Sequence, residues 1–350
     1  MTSHGPNPLK QLSRLSRTTK FDDQVDTILH GEEYKQWAKR INDADAKKLV
    51  EFLDKALGDL DHTSPGHRRC MRELSHICGA RRILPASHTL PSQDLTISPQ
   101  PFASGGSGDV YEGTFGRSKV CIKRVRVYSK DGPEKAIRAL CKEAVMWKHL
   151  EHNNIVPFLG ITMEPFQLVS EWMSGGNLSE HIREHPDANR LGLVLGIAEG
   201  LHYLHSRNII HGDLKGPNIL VDDAGNPRIT DFGLATVTQN TDTPRSGVDS
   251  REHTARWTAP EILSGKGTYS KEADVFSYAM VMIEVFTGAI PFDLIPPSAA
   301  MVAIMSGTRP SRPAHPKFTK TLWVLTQSCW AEVPSLRPGV SGILDTLRSA

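Results

Sequence analysis

Cysteine is scarce: Cys70, Cys78, Cys121, Cys141 and Cys329 are five in 350 residues. Their scatter excludes a disulfide framework, speaks against a zinc site and suits a reducing compartment. An excess of charge of one sign is also missing. The net charge of +2 gives no basic surface for nucleic acid, so no nucleic-acid partner is expected. The 15 histidines show no metal-ligand spacing and read as ordinary surface and core residues. No apolar signal opens the chain, and Thr2 excludes the usual myristoylation start. The apolar run from Ala273 to Phe292 contains Asp274 and Glu284 and closes at Thr287-Gly288 and Pro291. Its uninterrupted part is too short for a membrane span and fits a fully buried helix. These absences point to a soluble, cytoplasmic protein.

What is present concentrates in two short stretches. The first is His211-Gly212-Asp213-Leu214-Lys215-Gly216-Pro217-Asn218 and the second is Asp231-Phe232-Gly233, with the strand-like Asn218-Ile219-Leu220-Val221 between them. An acid, a cation, an amide and a second acid follow in the order that phosphoryl transfer from a metal-bound nucleotide requires. Either stretch alone would read as a polar turn; the two in series do not.

The chain therefore resembles the eukaryotic protein kinases, and the upstream elements extend the likeness. Phe102 to Val110 is glycine-rich and precedes the alternating Tyr111-Glu112-Gly113. Such a turn between strands can press backbone amides onto phosphate oxygens. Against the kinase pattern G-x-G-x-x-G-x-V, Gly105 and Gly108 fill the second and third glycine positions and Val110 the valine. Ala103 stands at the first, a departure expected to stiffen the loop or weaken nucleotide affinity slightly. Ser104, Gly106 and Ser107 complete the expected phosphate loop. Val120-Cys121-Ile122-Lys123 follows as a strand ending in a cation, and a helix is expected after Pro133, with Ile137, Leu140, Ala144 and Trp147 at helical spacing. Glu143 shares the face of Leu140 and Trp147, so a buried carboxylate there needs a cation, with Lys123 favoured. Glu134 and Glu151, at the helix start and past its end, are the rival partners for Lys123.

The resemblance implies a bilobal α+β kinase fold, with a small β-rich N-lobe and a large helical C-lobe. It implies ATP and Mg²⁺ as cofactors and protein substrates as partners. Asp213 would orient the substrate hydroxyl and accept its proton, and Lys215 would neutralise charge on the transferred phosphoryl group. Lys123, held by Glu143, would contact the α- and β-phosphates, with Asn218 and Asp231 as magnesium ligands. Phe232 would lie under the helix carrying Glu143. Ser170-Glu171-Trp172-Met173 resembles the adenine-binding hinge, with Ser170 as a small gatekeeper and Met173 as the hinge amide. Cys121, Leu220 and Val110 would enclose the adenine ring. Ala259-Pro260-Glu261 closes the activation loop, Glu261 is expected to pair with Arg337, and Asp274 resembles the aspartate that caps the catalytic loop.

Substrate class turns on Lys215 and Thr254. Both match kinases of serine and threonine, whereas Arg256-Trp257-Thr258 has a tyrosine-kinase flavour. That mixture resembles the tyrosine-kinase-like group, including fungal kinases with an H-G-D-L-K-G loop; Ser/Thr specificity is favoured and dual specificity stays open. Gly212 replaces the arginine that usually pairs with a phosphorylated activation loop. Activation is thus expected to depend less on loop phosphorylation, although Thr236, Thr238, Thr241, Thr243, Ser246 and Ser250 offer acceptors near Arg245 and Arg251. The alternative to an active enzyme is a pseudokinase, a binding module that keeps the fold; Ala103 and Gly212 are its support.

Domain organisation follows from the change in composition. Residues 1–20 are expected to be a disordered basic tail, 21–83 a helical extension, 84–96 a proline-bearing linker and 97–350 the kinase domain. In the extension, Leu49, Phe52, Leu53, Ala56 and Leu57 make one stripe, bounded by Asn42, Asp43 and Asp45 as caps and closed by Gly58. Cys70, Leu74 and Ile77 make a second on a helix before Gly79. The extension is expected to pack on the kinase domain, with a docking module for a protein partner as the alternative.

Overall fold

Alternating side chains in Ser118–Arg124 build the centre of the first unit. Val120 and Ile122 are fully buried beside Val169, with Leu95, Ile97, Tyr111, Phe115 and Leu159 packed on them, while Cys121 and Lys123 take the opposite face. A computed structural model describes residues 7–15, 20–105, 108–124, 133–237 and 254–350. These fall into two units, Met1–Leu150 with Phe158–Glu171, and Glu151–Pro157 with Trp172–Ala350.

The first unit opens with helices α1 (Pro8–Ser13), α2 (Phe21–His30), α3 (Glu32–Arg40), α4 (Asp43–Leu57) and α5 (Pro65–Arg81). Strands β1 (Leu95–Ile97), β2 (Ala103–Gly105), β3 (Gly108–Phe115) and β4 (Ser118–Arg124) follow, then helix α6 (Pro133–Lys148) and strands β5 (Phe158–Met163) and β6 (Phe166–Glu171). The sheet is antiparallel in the order β1-β3-β4-β6-β5, with β2 paired to β3.

Asn42 caps α4 by accepting from Asp45 N, and Ala46, Leu49, Val50, Leu53, Ala56 and Leu57 are its buried stripe. Phe52, expected in that stripe, is only half-buried. The disorder expected of 1–20 does not extend to Pro8–Ser13. Asn7 caps this helix, Pro8 starts it, and Leu12 is fully buried among α2, α3 and α4. The segment 84–96, expected as linker, carries turns at Ala86–His88 and Ser92–Asp94 and the start of β1.

Gly79 corrects another expectation. It does not end a helix; α5 runs on to a left-handed cap at Arg82. A Cβ at Gly79 would meet Lys142 Cε at 2.9 Å and Arg138 O at 3.3 Å, so glycine permits the close approach of α5 to α6. Gly79→Val is expected to lower the unfolding free energy by about 1–3 kcal/mol through overpacking. Urea denaturation checks this, and an unchanged midpoint would show that the helices separate without cost.

The second unit begins with α7 (Leu178–Glu184) and α8 (Arg190–Ser206) and the strands β7 (Ile209–Ile210), β8 (Ile219–Val221), β9 (Pro227–Ile229) and β10 (Thr236–Val237). Helices Pro260–Leu263, Lys271–Thr287, Pro297–Met305, Lys320–Cys329 and Val340–Arg348 complete it. Lys271–Thr287 is buried from Ala273 to Phe286 apart from Ser277, as its apolar run predicts. Among the described residues no helix is long and apolar enough to cross a membrane.

Candidate active site

In the first unit, β2 and β3 form the glycine-rich hairpin, with Ala103 opposite Val110, Ser104 opposite Asp109 and Gly105 opposite Gly108. Ser104 Oγ donates to Asp109 Oδ1 at 2.6 Å, and Gly108 has φ +135°, a conformation that favours glycine. Gly106 and Ser107 lie outside the described residues. Register then aligns Val110 with Lys123, and Cys121 with Ser170. Burial pushes the Cys121 thiol above its ordinary range, against the opposing pull of Ser170 and Lys123, which makes it a neutral wall. Ser170 is buried, and Glu171 is exposed at the end of β6.

The cation and acid expected to meet do so. Lys123 Nζ lies 2.9 Å from Glu143 Oε1, and only 16% and 6% of the two side chains is exposed. Leu140, Ala144 and Trp147 are buried on the same face of α6. Glu134, a rival for Lys123, instead lies 3.5 Å from Arg82.

In the second unit Asp274 organises the catalytic loop. It is 1% exposed, and its carboxylate accepts from His211 N and Gly212 N, each at 2.9 Å, with His205 Nε2 also 2.9 Å away. Gly212 has φ +78°, where a side chain would cost about 1–2 kcal/mol. The glycine that breaks the usual motif thus sits at a left-handed position. Beyond it, Lys215 Nζ is 2.8 Å from Asp213 Oδ2, and Asn218 Nδ2 donates to Asp213 O and Oδ2, both at 2.8 Å. Asp213 Oδ1 is buried and, among the described residues, has no hydrogen-bond partner. Lys215 also donates to Thr254 Oγ1 at 2.9 Å.

The β8–β9 hairpin brings the last acid alongside. Ile219 pairs with Ile229, and Thr230 N donates to Asn218 O at 3.0 Å, which seats Asp231 near Asn218. Asp231 itself is left-handed at φ +65°, and Phe232 is buried edge-to-face on His211 with ring centroids 5.5 Å apart. Leu220, between these residues, bridges to Asn177, and Met173 is buried with its carbonyl accepting from Gly176 N. Arg337 grips Glu261 with both terminal nitrogens, at 2.7 and 2.9 Å.

Sequence reasoning treated Glu284 only as an interruption of an apolar run. It is 1% exposed, and its carboxylate accepts from Gly216 N at 3.2 Å, Trp257 Nε1 at 2.9 Å and Ser179 Oγ. Burial raises its carboxyl above the ordinary range, against these three donors. A Cβ on Gly216 would lie 2.1 Å from Glu284 Oε1, so only glycine fits. The signal was the acid itself, since an unpaired carboxylate in a buried helix demands donors.

A family profile described as "Protein tyrosine and serine/threonine kinase" matches residues 98–347. The chain belongs to that family. Its α+β organisation is the protein kinase fold, with a helical extension ahead of the matched region. This kinase is similar to serine/threonine-protein kinase STY17 of Arabidopsis thaliana, 34% identical over 331 residues, which are 88% of this chain and 54% of the relative. It is also similar to the serine/threonine/tyrosine-protein kinase HT1 of the same plant, 32% identical over 256 residues, 70% of this chain and 64% of HT1. The dual specificity protein kinase pyk3 of Dictyostelium discoideum is 32% identical over 253 residues, 70% of this chain and 18% of pyk3. The kinase thus spans about half the length of STY17 and less of pyk3.

Proposed function

We propose that this chain is an ATP- and Mg²⁺-dependent protein kinase that phosphorylates serine and threonine in protein substrates. The observation that carries the reading is the carboxylate of Asp213. Its Oδ2 is committed to Lys215 and Asn218, while buried Oδ1 remains to accept the proton of a substrate hydroxyl. Position supplies most of the effect, because a general base must first lie within hydrogen-bond reach of the proton it takes. Lys215 stands beside the same oxygen to neutralise charge developing on the transferred group.

The remaining residues fit a nucleotide and its cation. Lys123, paired with Glu143, would contact the α- and β-phosphates, and the β2–β3 hairpin would offer backbone amides. Asn218 spends its amide nitrogen on Asp213, which leaves its oxygen, with the Asp231 carboxylate, as the hard donors that magnesium prefers. Bound there, the ion would screen the charge of the phosphates. On the family pattern, Val110, Cys121 and Ser170 of the first unit and, separately, Met173 and Leu220 of the second would be the residues that contact adenine.

Thr254 on Lys215 supports serine and threonine as acceptors, as do the names of STY17 and HT1; the names of HT1 and pyk3 keep tyrosine open. The glycine at 212 supports a weaker dependence on loop phosphorylation, although residues 238–253, which hold most candidate acceptors, lie outside the described residues. Phosphatase treatment is expected to leave activity largely intact; abolished activity, restored by phosphorylation, would contradict this.

The test is transfer of labelled phosphate from ATP with magnesium to generic protein substrates, followed by acid hydrolysis. Phosphoserine and phosphothreonine are the expected products. Folded chain that binds ATP and transfers nothing, with or without an added activating kinase, would support the pseudokinase alternative.

A further inference from the structure

We propose that Asp54, His88 and His149 form a binding site for a divalent transition metal of the zinc class. Asp54 lies on α4, His88 ends the turn Ala86–His88, and His149 directly follows α6, all within the first unit. Their three ligand atoms lie within 4.8 Å of one another. Asp54 Oδ1 is 2.7 Å from His88 Nε2 and 3.2 Å from His149 Nε2. Tetrahedral zinc, with bonds of about 2.0–2.2 Å to imidazole and carboxylate, holds neighbouring donors about 3.3 Å apart. Zinc binding would move the donors from 2.7 and 3.2 Å toward that spacing.

Hydrogen bonding alone leaves the cluster unsatisfied. His149 Nε2 is shut off from solvent and, among the described residues, has no hydrogen-bond partner, although it is directed at an oxygen already bonded to His88. A cation between the three groups would satisfy both imidazole nitrogens and the carboxylate at once. The pocket is sheltered as well: 0% of the His88 side chain, 14% of Asp54 and 18% of His149 is exposed.

The supporting bonds suit a ligand set. Ser87 Oγ donates to the second carboxylate oxygen, Asp54 Oδ2, at 2.7 Å, and Glu51 Oε1 accepts from Ala86 N at 2.8 Å, which fixes the turn carrying His88. The two rings meet edge-on, with centroids 5.6 Å apart and planes at 64°. Two imidazoles and one carboxylate favour zinc over magnesium, which prefers an all-oxygen shell, and leave a fourth position for water. The spacing of the histidines along the chain gave no sign of this. The ligands come from three elements brought together only by the approach of the helical extension to the end of α6, the helix that carries Glu143.

The full-length chain, stripped with chelator, resupplied with Zn²⁺ and desalted, is expected to retain one zinc per molecule by elemental analysis. Its thermal midpoint, measured without nucleotide, should rise more with zinc than with Mg²⁺. His149→Gln and Asp54→Asn should each weaken zinc binding at least tenfold, while His185→Gln should leave it unchanged. If either variant fails to fold, X-ray absorption of zinc-loaded wild type decides, and a shell with two imidazoles is the expected result. Folded wild type that retains no zinc, variants that retain it fully, or a shell of thiolates would overturn the proposal and leave a carboxylate latch between two imidazoles.

Discussion

Asp274→Ala is expected to cost about 3–6 kcal/mol of stability and to lower kcat by at least about a hundredfold. The carboxylate is 1% exposed and receives His211 N and Gly212 N, with His205 Nε2 within bonding distance. Alanine leaves all three groups buried without a partner, at about 1–3 kcal/mol each. The helix around Asp274 is buried on nearly all sides, which limits replacement of the lost oxygens by water. The catalytic consequence follows from position. Asp213 comes directly after Gly212, so a loop released from Asp274 displaces it, and a displacement of about 1 Å costs roughly a hundredfold in rate. Asp274→Asn keeps one acceptor oxygen but turns an amide N–H toward the loop donors, so it should fall between wild type and alanine. Urea unfolding and steady-state kinetics on the three proteins check the order. Wild-type stability in Asp274→Ala would mean that the loop is held by something else.

Lys123→Met should lower activity strongly and leave the fold in place. Removing the cation takes the ion-pair partner of Glu143, whose side chain is 6% exposed. Loss of a partner from a fully buried pair costs about 3–5 kcal/mol; the partial exposure of Lys123 reduces the expected loss to about 1–3 kcal/mol. A second change, Glu143→Leu, removes the buried acid and should recover most of that stability. It should not recover activity, because the group proposed to hold the α- and β-phosphates stays absent, and a fall of at least about 10²-fold in kcat/KM should persist. Thermal midpoints and kinetics on the single and double variants separate the two roles. Recovery of activity in the double variant would show that Lys123 serves the fold alone.

Much of this architecture was legible because phosphoryl transfer fixes residue types at short spacing. Asp213, Lys215 and Asn218 lie within one loop, and the structure brings their side chains into direct contact. Glu143 was found across a longer gap, since a carboxylate on the apolar face of a helix must have a cation. The same logic holds for Glu284, but without a cation as its partner among the described residues. Its donors are a backbone amide, an indole and a hydroxyl, and such groups leave no charge pattern to search for.

Other features were hidden for different reasons. Gly79 looked like a helix end because glycine usually serves that way. Its reason for being glycine is a neighbouring helix, information that α5 itself does not carry. Pro8–Ser13 is held by a cap and a single buried leucine, too little apolar periodicity to stand out among lysines and arginines. The Asp54–His88–His149 cluster depends on three separate elements and has no local signature at all.

The most direct test of the proposed activity is the rate of phosphoryl transfer by Asp213→Asn beside wild type, at saturating ATP and magnesium. Asparagine preserves shape and can keep its contact with Asn218 but cannot accept the hydroxyl proton, so kcat should fall by about 10²–10⁴-fold while ATP affinity stays within about twofold. Equal rates in the two proteins would contradict the account, because the carboxylate at the centre of the site would then have no part in the chemistry.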